Sequence, residues 1–151
     1  MNLKQRKTAM LTAALMLVML LCGGCGDPAN YDLPAQPQEF KVVDFTNPDL
    51  NTDAYASIEY NGRSYIPFGT LNRKLKGADV GDCLGYITQM DMKDEATRIT
   101  LLKADSDCNF LIAVDTDSES LQTTVMRAID TKKKDIPIPD FIKDEGYEFW
   151  K

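Results

Sequence analysis

The sequence predicts a mainly β domain, α+β at the margin, folded as a small antiparallel sheet or partly open barrel. Three observations predict it. Asn61-Gly62 lies between two β-forming runs, which is the strongest local hairpin signal because a type I′ turn needs positive φ at both central residues. Residues 97–102 alternate toward a half-buried pattern, and residues 110–114 are an apolar run of strand length.

The elements can be assigned in chain order. The hairpin is predicted over residues 57–60 and 64–68, followed by a short helical turn over residues 69–77 that Gly77 ends. Residues 121–129 are ambiguous, but Thr123-Thr124-Val125 favours a strand over a helix. We expect five or six strands and one or two short helices, with the aromatic tail sealing the core. The remaining strands and the tail are residues 84–90, 97–102, 110–114 and 147–150.

The N-terminus reads as a targeting signal. Residues 1–7 are basic, and the uncharged run from Thr8 to Cys22 is shorter than the roughly 20 residues that span a bilayer. Residues 20–25, Leu-Leu-Cys-Gly-Gly-Cys, resemble a bacterial lipobox. The resemblance implies cleavage after Gly24 and acylation of Cys25. The alternatives are an uncleaved anchor helix and an ordinary secreted protein.

These features divide the chain into a signal peptide (1–24), a lipidated cysteine with an extended tether (25–53) and one β-rich domain (54–151). The tether prediction rests on composition, because four of the seven prolines precede residue 54 among Asn, Asp and Gln residues. Residues 40–45 are the exception and are expected to dock as an edge strand. The predicted location is the extracytoplasmic face of the cell membrane, reached through lipid on Cys25.

Charge and composition exclude several functions. After residue 24 the chain has 14 basic against 23 acidic residues, a net charge of −9, which disfavours binding nucleic acid or anionic headgroups by bulk electrostatics. Histidine is absent, so Ser-His-Asp catalysis, Cys-His catalysis and His-ligated zinc are excluded. We expect no cofactor, no metal and no catalytic residue.

Two motifs in the body carry a resemblance. Residues 58–65 contain a Tyr-x-Gly-x-x-Tyr hairpin, and residues 80–87 contain a Gly-rich turn ahead of a strand. With the strand pair at 99–114, they are similar to small β-rich domains in Gram-positive surface lipoproteins whose activities are not known. The resemblance covers about 60 residues and implies fold and setting alone.

Cys83 and Cys108 remain once Cys22 and Cys25 are assigned to the signal and the lipid. Each lies near the start of a predicted strand, so neighbouring strands could join them in a disulfide worth about 3 kcal/mol. Two free thiols are the alternative. Without histidine to activate either sulfur, a nucleophilic role is disfavoured.

Three further patterns have structural and functional interpretations. The series Asp105-x-Asp107-x-Asn109 and Asp115-x-Asp117-x-Glu119 imitate the start of a calcium loop, but both lack its glycine and its final glutamate. We therefore favour solvated turns. Lys132-Lys133-Lys134 is predicted to be a solvated loop and not a patch that binds an anionic polymer or a lipid headgroup. Core packing is favoured over a sugar-binding surface for five aromatic residues: Tyr60, Tyr65, Phe68, Tyr86 and Trp150.

Three classes of function remain. The favoured one is a non-catalytic binding module that recognises a protein or an envelope ligand such as a wall polymer. The second is an immunity-type or structural accessory lipoprotein of a membrane complex. A carboxylate-dependent wall hydrolase is the least favoured, because it needs an acidic pair at a fixed separation.

Overall fold

The computed structural model describes residues 26–50 and 54–151, and in them the chain forms a mainly β fold. Two single-turn 3₁₀ helices, Ile129–Thr131 and Glu148–Trp150, are the only helical elements of this part of the chain. The strands are β1 (Gln38–Lys41), β2 (Val43–Thr46), β3 (Ala54–Tyr60), β4 (Arg63–Leu71), β5 (Val80–Gln89), β6 (Met92–Leu102), β7 (Phe110–Asp115), β8 (Thr123–Ala128) and β9 (Ile142–Asp144).

The strands form one sheet that is nearly closed on itself. Its order is β1-β5-β6-β7-β8-β4-β3-β2, and β9 pairs with the end of β4. The first and last strands of this order are separated in the chain by Val42 alone. One extended segment therefore pairs in parallel with β5 through β1 and antiparallel with β3 through β2. The amide of Val42 donates to the carbonyl of Thr88 at 2.9 Å and continues the β5 pairing.

The interior of the sheet holds one of two apolar cores. Phe40 of β1 is 1% exposed and packs with side chains from β3, β4 and β6 to β8. Burying a side chain of this size contributes about 2–3 kcal/mol. The other buried members of this inner core are Ile58, Tyr65, Ile99, Leu111, Ala113, Met126 and Ala128.

The second core covers the outer face of β7 and β8. Phe110, Ile112 and Val114 alternate with the inner residues Leu111 and Ala113, so β7 is buried on both faces and reads as a continuous apolar run. The outer core is closed by the tail and by the loop after β4, through Leu75, Phe141 and Ile142 with Trp150 packed against them.

The mainly β prediction is confirmed, but the number of strands was underestimated. The Asn61-Gly62 hairpin forms, with φ of 50° and 73° at its two central residues. The ambiguous segment contains β8, as favoured. The expected five or six strands become nine in the described residues, because the edge strand expected at residues 40–45 forms as two short strands, β1 and β2, and because β9 follows Pro139 where no strand was expected.

The helical turn expected over residues 69–77 does not form. Gly69, Thr70 and Leu71 pair with β9 instead, and the amide of Asn72 donates to the carbonyl of Phe141 at 3.0 Å. Tertiary pairing with the distant tail outweighs a weak local preference.

Residues 26–50 differ from the extended tether that their composition favoured. Beyond β1 and β2, the amide of Gly77 donates to the carbonyl of Asp27 at 2.7 Å, and Pro28 forms a β-bridge with Lys76. The prolines restrict φ without preventing these contacts, because their neighbours supply the donors and acceptors. Residues 26–50 are therefore part of the β-rich domain.

Gly85 tests the closure of the sheet. A Cβ at this position would overlap the backbone of Gln38 in β1, so Gly85→Ala should push β1 off β5 and lower the free energy of unfolding by about 3 kcal/mol. Gly26→Ala is the control, because its Cβ would meet only the flexible side chain of Lys76, at 3.2 Å. Urea unfolding measures both; an equal effect of the two variants would contradict the close approach of β1.

Candidate binding surfaces

The predicted lipidation site lies outside the described residues. This holds for Gly24 and Cys25, and for the whole of the predicted signal peptide. Gly26 is the first described residue, and a Cβ added to it would lie 3.2 Å from the side chain of Lys76. A lipid on residue 25 would therefore be joined to the folded body almost directly.

Cys83 and Cys108 are free thiols in the structure, which is the second of the two alternatives. Cys83 pairs with Thr100 in the β5–β6 ladder, whereas Cys108 lies in the turn before β7 with a φ of 50°. Burial raises the pKa of both thiols, so neither has the lowered pKa of a reactive cysteine.

The first calcium-like series forms a turn held by protein groups. The Asp105 carboxylate accepts from the amide of Phe110 at 2.6 Å and from the Asn109 side chain at 3.2 Å. Arg63 donates to the carbonyls of Asp107 and Cys108, both at 2.9 Å. The guanidinium thus occupies two backbone oxygens of this turn.

The second series is a simple acidic turn. The Asp115 carboxylate accepts from the amide of Asp117 at 3.0 Å. Across residues 26–50 and 54–151, no group of three or more Cys, Asp or Glu side chains is placed to hold a metal ion.

The lysine run is largely engaged within the protein. Lys132 contacts Asp49 at 3.1 Å and lies 4.3 Å from the ring centre of Phe149, while Lys134 pairs with Asp130 at 3.0 Å. Arg127, upstream of the run, is buried between the rings of Phe68 and Trp150 at 5.2 and 4.9 Å. These contacts support the structural interpretation of the run.

The aromatic residues belong to the cores. Tyr65, Phe68 and Tyr86 are buried, and the Tyr65 hydroxyl donates to the carbonyl of Cys108 at 2.6 Å. Burial raises the pKa of Tyr65 to about 12. Trp150 donates to the carbonyl of Pro67 at 2.7 Å and lies edge-on to Phe68, so the tail seals the outer core as expected.

A groove of about 820 Å³ is the first of two surfaces suited to binding. It lies between the N-terminal segment 26–31, the loop 71–76 after β4 and the β7–β8 turn. Its apolar lining consists of Pro28, Ala29, Tyr31, Leu71, Leu75 and Leu121, and its cations are Arg73, Lys74 and Lys76.

An ion pair fixes the loop that carries these cations. Arg73 binds both carboxylate oxygens of Asp79, at 2.7 and 3.0 Å, and its guanidinium lies 4.8 Å from the ring centre of Phe141. Asp79 also accepts from the amide of Lys76 at 2.8 Å. The hydrogen bond from Arg73 is the main reason that the pKa of Asp79 is lowered to about 2.

The β5–β6 tip, residues 89–92, is the second surface. Met90 is 83% exposed and Met92 is 69% exposed, the two highest values among the exposed large apolar residues. Met90 and Asp91 have φ of 49° and 60°, a left-handed backbone that costs a residue with a side chain about 1 kcal/mol. The tip therefore combines exposed apolar surface with a disfavoured backbone.

The two surfaces lie toward opposite ends of β5. Lys76, beside the groove, precedes the strand, and Met90 follows it. Ten residues at about 3.3 Å each give at most roughly 33 Å between the ends. Sequence reasoning missed both surfaces, although the alternation Lys74-Leu75-Lys76 and the pair Met90 and Met92 were visible signals.

Comparison of the chain with protein-family models, curated proteins and solved structures gives no match in any of the three. The resemblances drawn from the lipobox and the hairpin motif therefore stay predictions. In the part of the chain that the structure describes, no helix is both long and apolar enough to cross a bilayer.

The Asp79 ion pair predicts a pH dependence. Because the folded-state pKa of about 2 lies below the ordinary value of 3.8, the pair stabilises the fold fully above about pH 4 and is lost as pH falls through 2. Asp79→Asn should therefore lower the free energy of unfolding by about 1 kcal/mol at pH 7 and by almost nothing near pH 2. Urea unfolding across this range measures it; a constant difference would contradict the ion-pair role.

Proposed function

We propose that the chain is a membrane-anchored extracytoplasmic lipoprotein that acts as a non-catalytic binding module, and that its ligand is a protein contacted by the β5–β6 tip. The observation that carries the proposal is the backbone of this tip. The chain's other tight hairpin places Asn61-Gly62 in the same left-handed conformation, whereas the β5–β6 tip places Met90-Asp91 there. Stability favours the first pair, so we attribute the second to binding.

The side chains of the tip suit a protein partner. Methionine is flexible and polarizable and adapts to the shape of an apolar pocket. Residues 91–95 carry Asp91, Asp94 and Glu95 against one cation, Lys93, which pairs with Glu39 at 3.1 Å. The expected partner therefore presents an apolar pocket with a basic rim.

The proposed anchor and the β5–β6 tip lie toward opposite ends of β5. Gly26 lies beside the side chain of Lys76, which precedes β5, and Met90 follows the other end of the strand. If Cys25 carries lipid, the strand projects the tip away from the bilayer, where an extracytoplasmic protein can reach it. A photoreactive residue at Met92 of the full chain, in its native membrane, tests this contact against the same probe at exposed Lys133.

Exchange of the turn residues separates binding from folding. Met90→Asn with Asp91→Gly should raise the free energy of unfolding by about 1 kcal/mol, because the backbone cost is relieved and the exposed Met90 side chain loses few contacts. The same variant should lose the protein adduct formed from position 92. Crosslinking and urea unfolding are the measurements.

Asn61→Met with Gly62→Asp is the matched control, since it makes the reverse exchange in the other hairpin. It should lower stability by a similar amount and keep the adduct. Equal adducts from positions 92 and 133, or an adduct that survives the tip exchange, would contradict the proposed contact. A crosslinked partner that is an integral membrane protein would instead favour the accessory-lipoprotein alternative.

Cys25→Ala tests the anchor separately. Without the thiol there is no acceptor for lipid, so the variant should accumulate as an uncleaved precursor of full mass. Radiolabelled palmitate and intact mass are the measurements. Normal cleavage of the variant, or label retained on it, would show that Cys25 is not the modified residue.

A further inference from the structure

We propose that the groove binds the headgroup of an anionic phospholipid in the membrane that anchors the chain. The proposal deepens the proposed function and rests on its anchor for the identity of the membrane. The groove is lined by segments 26–31, 71–76 and 120–123, none of which belongs to the β5–β6 tip.

The charge of the groove differs from that of the body. Its lining carries three cations, Arg73, Lys74 and Lys76, and one acid, Asp27, whereas the chain after residue 24 has a net charge of −9. Arg73 is held by Asp79, but Lys74 and Lys76 are exposed, and among the described residues neither ammonium has an ion-pair partner. Two exposed ammonium groups in the lining of one groove suit a phosphate.

The apolar side of the groove suits the rest of a lipid. Leu75, which separates the two lysines in the sequence, is buried, whereas Lys74 and Lys76 are exposed. The two ammonium groups therefore lie at the solvent side of an apolar lining. Leu121 is 37% exposed at the β7–β8 turn and has a left-handed φ of 47°, which is uncommon for a bulky residue. A disfavoured residue that adds apolar surface to a groove supports a binding role.

The position of the groove beside the predicted lipid site favours a membrane lipid as the ligand. Gly26 itself lines the groove, and it is the residue that follows the predicted lipid site. The acidic body as a whole is repelled by an anionic bilayer, whereas an approach through the groove, with its three cations and one acid, is attractive at short range. Headgroup binding would therefore orient β5 away from the membrane.

The test uses the full chain purified in a nonionic detergent. Dihexanoylphosphatidylglycerol, dihexanoylphosphatidylcholine and inorganic phosphate are titrated while amide resonances of residues 71–76 and 120–123 are followed. We expect saturable shifts with the anionic lipid and at least tenfold weaker binding of the other two. The double variant Lys74→Ala with Lys76→Ala should bind the anionic lipid roughly 30-fold more weakly. Lys41 is an exposed lysine of β1, and Lys41→Ala should leave this affinity unchanged.

Each titration has an outcome that would contradict the proposal. Equal binding of both lipids, or an unchanged affinity in the double lysine variant, would overturn recognition of the headgroup charge. Phosphate that binds as tightly as the anionic lipid would overturn the role of the apolar lining. Because the short-chain lipid is added from solution and its binding is read at residues 71–76 and 120–123, the titration reports on the groove whether or not Cys25 carries lipid, so failure of the anchor and failure of the groove give different results.

Discussion

The backbone pairing of residues 38–46 with two strands at once is the constraint on which the rest of the fold depends. One edge of the sheet ends at β5 and the other at β3, and both edges are covered by β1 and β2 of the same segment. Open strand edges leave unpaired amides and carbonyls, which this closure satisfies. It also brings Phe40 into the inner core and requires a glycine at position 85.

The same segment determines how the two binding surfaces relate to the predicted anchor. Because residues 26–31 continue into β1 along the body, Gly26 is held at Lys76 and cannot act as the end of a long tether. The groove then lies beside the predicted anchor, and β5 carries the β5–β6 tip away from it. The predicted anchor and the groove thus lie toward one end of β5 and the tip at the other.

Local signals in the sequence accounted for the centre of the sheet but only in part for its edges. The Asn61-Gly62 turn and the apolar run of β7 are decided by neighbouring residues, so pattern reasoning found them. Residues 40–45 were expected as one edge strand of a proline-rich linker; the structure divides this segment at Val42, and β1 begins earlier, one residue after Pro37. Its pairing depends on the edge of β5, about 45 residues later, which no local pattern encodes.

The candidate surfaces were harder to predict than the fold. Lys74 and Lys76 read as ordinary surface lysines until the N-terminal segment is placed against them. Met90 was predicted as the last residue of the strand at 84–90, whereas the register pairs Gln89 with Met92 and places Met90 in the turn. The more conspicuous motifs have partners within the fold. Arg63 binds the turn of the first acidic series, and Asp130 and Asp49 pair with the lysine run.

Hydrogen exchange at the Val42 amide tests the closure of the sheet most directly, because this amide donates to Thr88 at the junction of β1 and β2. If the segment is part of the closed sheet, Val42 should exchange through the same global opening as Ile112 in the centre of β7, with rates within about tenfold of each other. Rapid exchange of Val42 while Ile112 stays protected would show that residues 38–46 are a detachable tether, and would contradict the account.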